Sequence, residues 1–332
     1  MELELRNIQK SFGEKEVLKG ISFTASSGKA FGLLGRNGAG KTTTIRILMD
    51  VFNADAGEIL VDGKPVDYKQ LRLGYLPEER GLYPRKKIID QLIYFARLNG
   101  MKRQDAVKSI DYWLERLGMA EHRNKKLDTL SKGNQQKIQL VTALAHEPQI
   151  IILDEPFSGL DPVNAMLLKD VVKEEIAKGK IVLFSSHQMN YIEEFCDGIA
   201  ILNGGSIVLK GDIYDIKHNY VRDKLLVCSE QAEEIRTRLG DCCSVTETGE
   251  LLVQMKDPAE KQEMMKMLTG AYDIDEIKVF EPSLNDIFVE FAQDETSGDT
   301  MLPSGAHVPS GRNKDIPSRD TFIPFGKKGN GR

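Results

Sequence analysis

GLLGRNGAGKTTTIRIL, running from Gly32 to Leu48, is the stretch on which the reading of this chain turns. Within it, Gly35-Arg36-Asn37-Gly38-Ala39-Gly40-Lys41-Thr42 fits the pattern G-x-x-x-x-G-K-[ST]. A chain of phosphates needs the backbone to come close, so side chains must be missing at key points. Successive N–H groups then point inward as an anion nest, and the helix that follows offers its positive end. Lys41 brings a full charge to the outer phosphates, and the Thr42 hydroxyl can ligate Mg²⁺. The surroundings agree: AFGLL, Ala30 to Leu34, reads as a short buried strand, and Lys41 to Met49 as a helix. A glycine-rich turn capping a helix would account for the glycines but leaves the lysine unexplained. Gly35, Asn37, Gly38, Ala39, Gly40, Lys41, Thr42 and Thr43 are therefore the expected phosphate-binding residues.

A second buried strand, QIIILDEP from Gln149 to Pro156, ends in two adjacent acids. Such a strand delivers Asp154 and Glu155 to the C-terminal edge of the sheet, where the phosphate loop should also lie. Asp154 is expected to hold Mg²⁺, and Glu155 to orient or deprotonate an attacking water. A helix from about Val163 to Ala177 and the strand KIVLFSSH follow. The strand–helix–strand order implies parallel strands in an α/β sheet. SSH places His187 just past its strand, within reach of a terminal phosphate.

The rest of the chain fills in the organisation. ELELRNIQKSF alternates like a strand with one wet face. GEILVDGKPV reads as a hairpin turning at Asp62-Gly63, and GIAILNGGSIVLKG as another turning at Asn203-Gly204-Gly205. From about Pro84 to Glu147 the pattern is helical. In DAVKSIDYWLERLGM, residues Val107, Ile110, Leu114 and Leu117 fall on one face, with Trp113 beside it and expected to pack in the core. After about residue 219, three strand-like and two amphipathic helical segments predict a small α+β appendage, closed by the helix PSLNDIFVEFA. From Thr296 onward the chain is rich in Gly, Pro and Ser, and it carries the near-repeat PSGAHVPSGR. A disordered tail is expected there.

Composition narrows the function classes. The chain has 332 residues, 41% hydrophobic and 29% charged, with a formal net charge of −5, which offers no general pull toward nucleic acid. Its four cysteines, Cys196, Cys228, Cys242 and Cys243, form no C-x-x-C pair, as expected in a reducing compartment. The start, MELELRNI, has no leader-like pattern, and no apolar run nears the roughly 20 residues that span a bilayer.

Two further segments separate this chain from other phosphate-loop proteins. LSKGNQQK, Leu130 to Lys137, opens a helix with Ser131 as a natural N-cap and Gly133 permitting close approach. SGLDP, Ser158 to Pro162, has Asp161 as N-cap and Pro162 as first helical residue. Together, in this order, the motifs resemble the ATP-binding subunit of ABC transporters over roughly residues 1–219. Gly35 to Thr42 is similar to the Walker A motif and Ile150 to Glu155 to Walker B. Leu130 to Asn134 resembles the signature sequence, Ser158 to Asp161 the D-loop, and His187 the switch histidine. Phe12 is similar to the aromatic that stacks on adenine; on its own it reads equally well as an aromatic covering the sheet edge. Lys132 and Asn134 depart from the usual signature, and Glu78 stands in LGYLPEERGLYP where the family has a glutamine. A carboxylate there can reach Mg²⁺ or water, so Glu78 joins Thr42 and Asp154 as an expected metal ligand. PEERGLYP and PSLNDIF together resemble the sodium- or drug-efflux branch of ABC exporters.

The resemblance implies a definite fold and mechanism. The fold is a phosphate-loop NTPase core over 1–219 with an antiparallel β subdomain and a helical subdomain at about 84–147; an α+β domain at 220–295 follows, then the tail. It implies an ATPase using ATP and Mg²⁺, with Lys41, Glu155 and His187 catalytic. Ser131 and Gly133 would complete the site of a second copy, or of a paralogue, in an ATP-sandwich dimer. An integral membrane permease subunit, and a cytoplasmic place on the inner face of the cell membrane, are implied likewise, with no nucleic acid expected. The alternative is a soluble ABC ATPase acting on ribosomes, nucleic acid or another protein complex. A non-hydrolysing regulatory binder would need damaged catalytic residues, and Asp154, Glu155 and His187 are all present.

Overall fold

A computed structural model of the chain describes residues 1–292 except 80, 219–222 and 247. The expected disordered tail from Thr296 lies outside the described residues. By internal contacts the chain forms two compact units, one of Met1–Ile213 with the described residues from Phe288, the other of Tyr214–Ile287.

The first unit begins with β1 (Glu2–Phe12), β2 (Lys15–Ser26), β3 (Ala30–Gly35) and α1 (Lys41–Leu48). It continues through β4 (Ala56–Val61), β5 (Lys64–Pro65) and β6 (Leu73–Leu76) into three helices, α2 (Ile88–Leu98), α3 (Arg103–Arg116) and α4 (Lys132–Leu144). Then come β7 (Ile150–Asp154), α5 (Pro162–Ala177), β8 (Ile181–Ser186), α6 (Met189–Phe195), β9 (Gly198–Asn203) and β10 (Ser206–Asp212).

Its central sheet has the order β10-β9-β3-β8-β7-β6. All neighbours pair in parallel except β10, an antiparallel edge. Phe31, Leu33, Ile150, Ile152, Ile181 and Leu183 share one core with Leu3, Leu5, Ile21 and Phe23 of the antiparallel sheet and with Ile45 and Leu48 of α1. The residues between them, Ile151, Leu153, Val182 and Phe184, are also buried and, by the period of two, face the other side. A sheet covered on both faces has apolar residues at every position, which is why IIIL reads as an unbroken run.

The antiparallel sheet has the order β2-β1-β4-β5. β2, unrecognised in the sequence, is the longest strand here. The alternation expected along β1 breaks after Leu5: the register shifts before Ile8, and Asn7 sits at φ +48°, a β-bulge. Asp62 and Gly63 turn the β4–β5 hairpin with φ +49° and +73°, as a tight primed turn requires. Its return arm is only two residues long and ends at Pro65, which has no N–H to donate. In α3, Ile110 and Leu114 are buried as expected and Trp113 packs in the core, also as expected, whereas Val107 is only half-buried. Ser131 and Asp161 do cap α4 and α5, each accepting from the N–H three residues on.

α7 (Ile213–His218) leads into the second unit, which contains β11 (Lys224–Cys228), α8 (Ala232–Leu239), β12 (Cys243–Val245), β13 (Leu251–Gln254), α9 (Lys261–Ala271) and β14 (Glu276–Val279) before α10 (Leu284–Ala292). The four strands form an antiparallel sheet, order β12-β13-β11-β14. Leu225, Val227, Ile235, Leu251, Val253 and Leu268 make its core. Among the described strands of this unit, the short β12 is the one the sequence does not announce.

One close approach matters for the site. A Cβ on Gly74 of β6 would lie 2.3 Å from the Ala143 carbonyl oxygen of α4 and 2.8 Å from Pro148 Cγ. Gly74→Ala is therefore expected to cost about 1–3 kcal/mol by overpacking, read as a lower urea midpoint with an unchanged slope. An unchanged midpoint would show that α4 does not press on β6.

Candidate active site

α1 is preceded by Gly40 at its N-cap, whose φ of +113° and whose contacts both exclude a side chain: a Cβ there would lie 2.6 Å from Leu18 Cδ2. The strand–loop–helix turn then buries Lys41, leaving its side chain curled back on the loop. Its Nζ donates to the Gly35 carbonyl at 2.6 Å and the Arg36 carbonyl at 3.4 Å. Burial lowers the Lys41 pKa, and the negative charges of Glu155, Asp154 and Glu78 oppose that. The loop and the strand ends enclose a cleft of about 790 Å³, open to solvent. Asn37, Gly38, Gly40, Lys41, Thr42 and Thr43 border it on one side, and Glu78, Asp154, Glu155 and His187 on the other. Gly35 and Ala39 do not line it: both are buried beneath the loop, Gly35 through its carbonyl to Lys41 and Ala39 through its N–H to Arg36.

Asp154 is buried at the end of β7, and the Tyr75 hydroxyl donates to its Oδ2 at 3.3 Å. Burial, with Glu155 adding to it, raises the Asp154 pKa against the pull of the neighbouring hydroxyls and Lys41. Burial and the Asp154 charge push the Tyr75 phenol up to about 12. Glu155 takes φ +47°, a left-handed conformation that costs a non-glycine residue on the order of 1–3 kcal/mol. Three donors from the end of β8 hold its buried carboxylate there. The Ser186 hydroxyl reaches Oε2 at 2.9 Å, the His187 N–H reaches Oε1 at 2.9 Å, and His187 Nδ1 lies 2.6 Å from Oε1. The imidazole itself is 59% exposed and borders the cleft.

Thr42, Asp154 and Glu78 give the cleft three oxygen donors beside a phosphate-type loop. Hard oxygen ligands, few in number, suit Mg²⁺ when phosphates supply the remaining positions. These residues fit that ion.

Three expected residues lie elsewhere. Phe12, at the end of β1, is half exposed and packs edge-on against Phe52, ring centroids 5.5 Å apart, with Lys10 Nζ 5.6 Å from both rings. Its strand partner Lys15 does border the cleft, as do Val17 and Arg36. Those three are not among the expected residues; Lys15 and Val17 sit on the unrecognised β2. Ser131 and Gly133 start α4, outside this cleft, where Gly133 abuts Asn164: a Cβ would meet its Nδ2 at 3.0 Å.

A lysine-bearing phosphate loop and a strand-borne acid pair on one parallel sheet define a phosphate-loop nucleoside triphosphatase. This chain belongs to the family of ABC transporter ATP-binding proteins: residues 18–158 match the ABC transporter family, and 211–292 match the C-terminal domain of ATP-binding protein DrrA1-3-like. It is 42% identical to the uncharacterized ABC transporter ATP-binding protein YhaQ of Bacillus subtilis (strain 168), over 87% of this chain and 97% of the relative. It is 32% identical to the Nod factor export ATP-binding protein I of Burkholderia lata, over 81% and 90%. It is 35% identical to the linearmycin resistance ATP-binding protein LnrL of Bacillus subtilis (strain 168), over 64% and 70%. A solved ATP-binding subunit of an ABC transporter superposes with a TM-score of 0.61 at 29% identity, covering 66% of this chain and 93% of that one. The chain is thus an ATP-binding subunit of an ABC transporter, and it hydrolyses ATP.

The raised Asp154 pKa has a consequence for stability. The folded state holds this proton more tightly than the unfolded chain, whose carboxyl has the ordinary value of 3.8. The stabilisation is complete below that value and lost as pH rises through the folded one. At pH 7 the nucleotide-free protein therefore carries an unfavourable buried charge. Asp154→Asn is expected to melt higher than wild type at pH 7, the gap closing as pH falls toward 4. A lower melting temperature at pH 7 would contradict this electrostatic account.

Proposed function

We propose that this chain powers a membrane exporter by hydrolysing Mg²⁺-bound ATP in a two-fold dimer with a second copy or a paralogue. The observation that carries the reading is the convergence of Lys41, Thr42, Asp154, Glu155 and His187 on one cleft. We assign this to a nucleotide-binding domain over 1–219, followed by the α+β domain at 220–295. Export is supported by the relative named for Nod factor export, and the relative named for linearmycin resistance agrees with it. Among the described residues no helix is long and apolar enough to cross a membrane. In this reading the cargo path lies in a separate permease subunit, with this chain docked on the inner face of the membrane.

In this mechanism the loop N–H groups and the α1 N-terminus bind the phosphates, and the Lys41 ammonium moves from the Gly35 carbonyl to the outer phosphate oxygens. Phe12 stacks on the base from the end of β1. Thr42 and Asp154, with Glu78 beside them, would hold Mg²⁺, which would neutralise phosphate charge. Glu155 aims a water at the γ-phosphorus and takes its proton as the new P–O bond forms and the bond to the ADP oxygen breaks. His187 fixes the Glu155 carboxylate through the 2.6 Å contact and faces the cleft. Ser131 and Gly133, which lie outside the cleft of their own chain, seal the γ-phosphate of the partner with the positive end of α4. Hydrolysis removes the shared ligand and releases the dimer.

Glu155→Gln is expected to lower the hydrolysis rate by about 10²–10⁴-fold, the range for loss of a general base, while ATP still binds. By light scattering the variant accumulates as a dimer in saturating ATP and Mg²⁺; a persistent monomer under those conditions contradicts the sandwich.

A further inference from the structure

Two glutamines one helical turn apart tie α4 to the loops that carry the catalytic acids. Gln136 Nε2 donates to the Pro156 carbonyl at 2.6 Å, next to Glu155. Gln139 Nε2 donates to two carbonyls, Pro77 at 3.2 Å and Glu79 at 3.0 Å, which bracket Glu78. Gln139 is 5% exposed, and the amide spends both of its N–H donors on this one stretch of main chain. Glu78 itself is exposed and reaches the cleft. An exposed acid on a loop has little positional certainty of its own. The clamp on either side of it supplies that certainty and refers it to α4, the helix that begins at Ser131.

We infer that Gln139 is a positioning residue for Glu78: it sets where that carboxylate stands at the metal side of the cleft and makes Glu78 move with α4. The inference rests on the reading of the cleft as a Mg²⁺-ATP site with Glu78 at the metal. The chemistry demands a primary amide. A carboxylate at position 139 would face two carbonyl oxygens with acceptors only, and an apolar side chain would leave both carbonyls without these donors.

The test is a double-mutant cycle in the full chain with Gln139→Met, Glu78→Gln and the pair. Two readouts are taken: the Mg²⁺ concentration that half-saturates binding of a non-hydrolysable ATP analogue, by calorimetry, and the steady-state kcat and KM for ATP. Misplacing a reacting group by about 1 Å costs up to about 100-fold. Gln139→Met is accordingly expected to lower kcat by about 10- to 100-fold with KM for ATP within about 2-fold, and to shift the Mg²⁺ midpoint. Adding it to Glu78→Gln is expected to change neither readout further. Additive effects, the mark of independent sites, overturn the clamp and leave Glu78 at the metal. A silent Glu78→Gln overturns both the clamp and the metal role of Glu78, while analogue binding in the same experiment reports separately on the ATP site. Should Gln139→Met fail to fold, Gln139→Asn keeps an amide one methylene shorter. Its Mg²⁺ midpoint is expected to move and to lose that shift in the Glu78→Gln background; a wild-type midpoint overturns the inference.

Discussion

Everything at the site depends on the parallel register of β3, β8 and β7. Leu34 stands opposite Ser186, and Asp154 opposite Ser185, so the three strands run out at one edge within a residue of each other. The chain leaves β3 into the phosphate loop, β7 into Glu155 and β8 into His187. A slip of one residue on any of them would turn its side chains to the opposite face and break the set. The register is protected because each strand is buried on both faces, so a slip would also misplace apolar side chains in two cores.

The site's charges are held against their own preferences. Lys41 and Asp154 are buried, and in each case burial works against the ionised form. Glu155 keeps a left-handed backbone because three donors from β8 grip its carboxylate. Preorganisation of this kind is useful where charge must be neutralised in transit, since the groups need no rearrangement when the phosphate reacts. It comes at the expense of stability in the nucleotide-free protein. Much of what surrounds the site, from Tyr75 on Asp154 to Gln136 on Pro156, serves to hold an arrangement that would otherwise relax.

The sequence made the chemistry more legible than its surroundings. The phosphate loop, the acids after IIIL and the histidine after FSS are visible because each ends a buried strand, and buried strands of this kind write themselves as unbroken apolar runs. The caps Ser131 and Asp161 were legible for a local reason, a side-chain oxygen three residues before the N–H it accepts. β2 was not, because its apolar residues Leu18, Ile21, Phe23 and Ala25 change spacing around Gly20, an extra residue where the register with β1 shifts again between Ile8 and Gln9. With β2 went Lys15 and Val17 at the mouth of the cleft. The roles of Gln136 and Gln139 were hidden too. Their partners are main-chain carbonyls 20 and about 60 residues away, and no local pattern records such a pairing.

Lys41 is the buried cation at the meeting of the three strand ends, and nucleotide binding depends on it most directly. Calorimetric titration of the full chain with a non-hydrolysable ATP analogue and Mg²⁺, wild type against Lys41→Ala, tests it. The prediction is one nucleotide per wild-type chain and a loss of at least about 30-fold in affinity in the variant, the low end for truncating a buried charge pair. Equal affinity in a folded Lys41→Ala protein would contradict the claim that this cleft grips a nucleoside triphosphate.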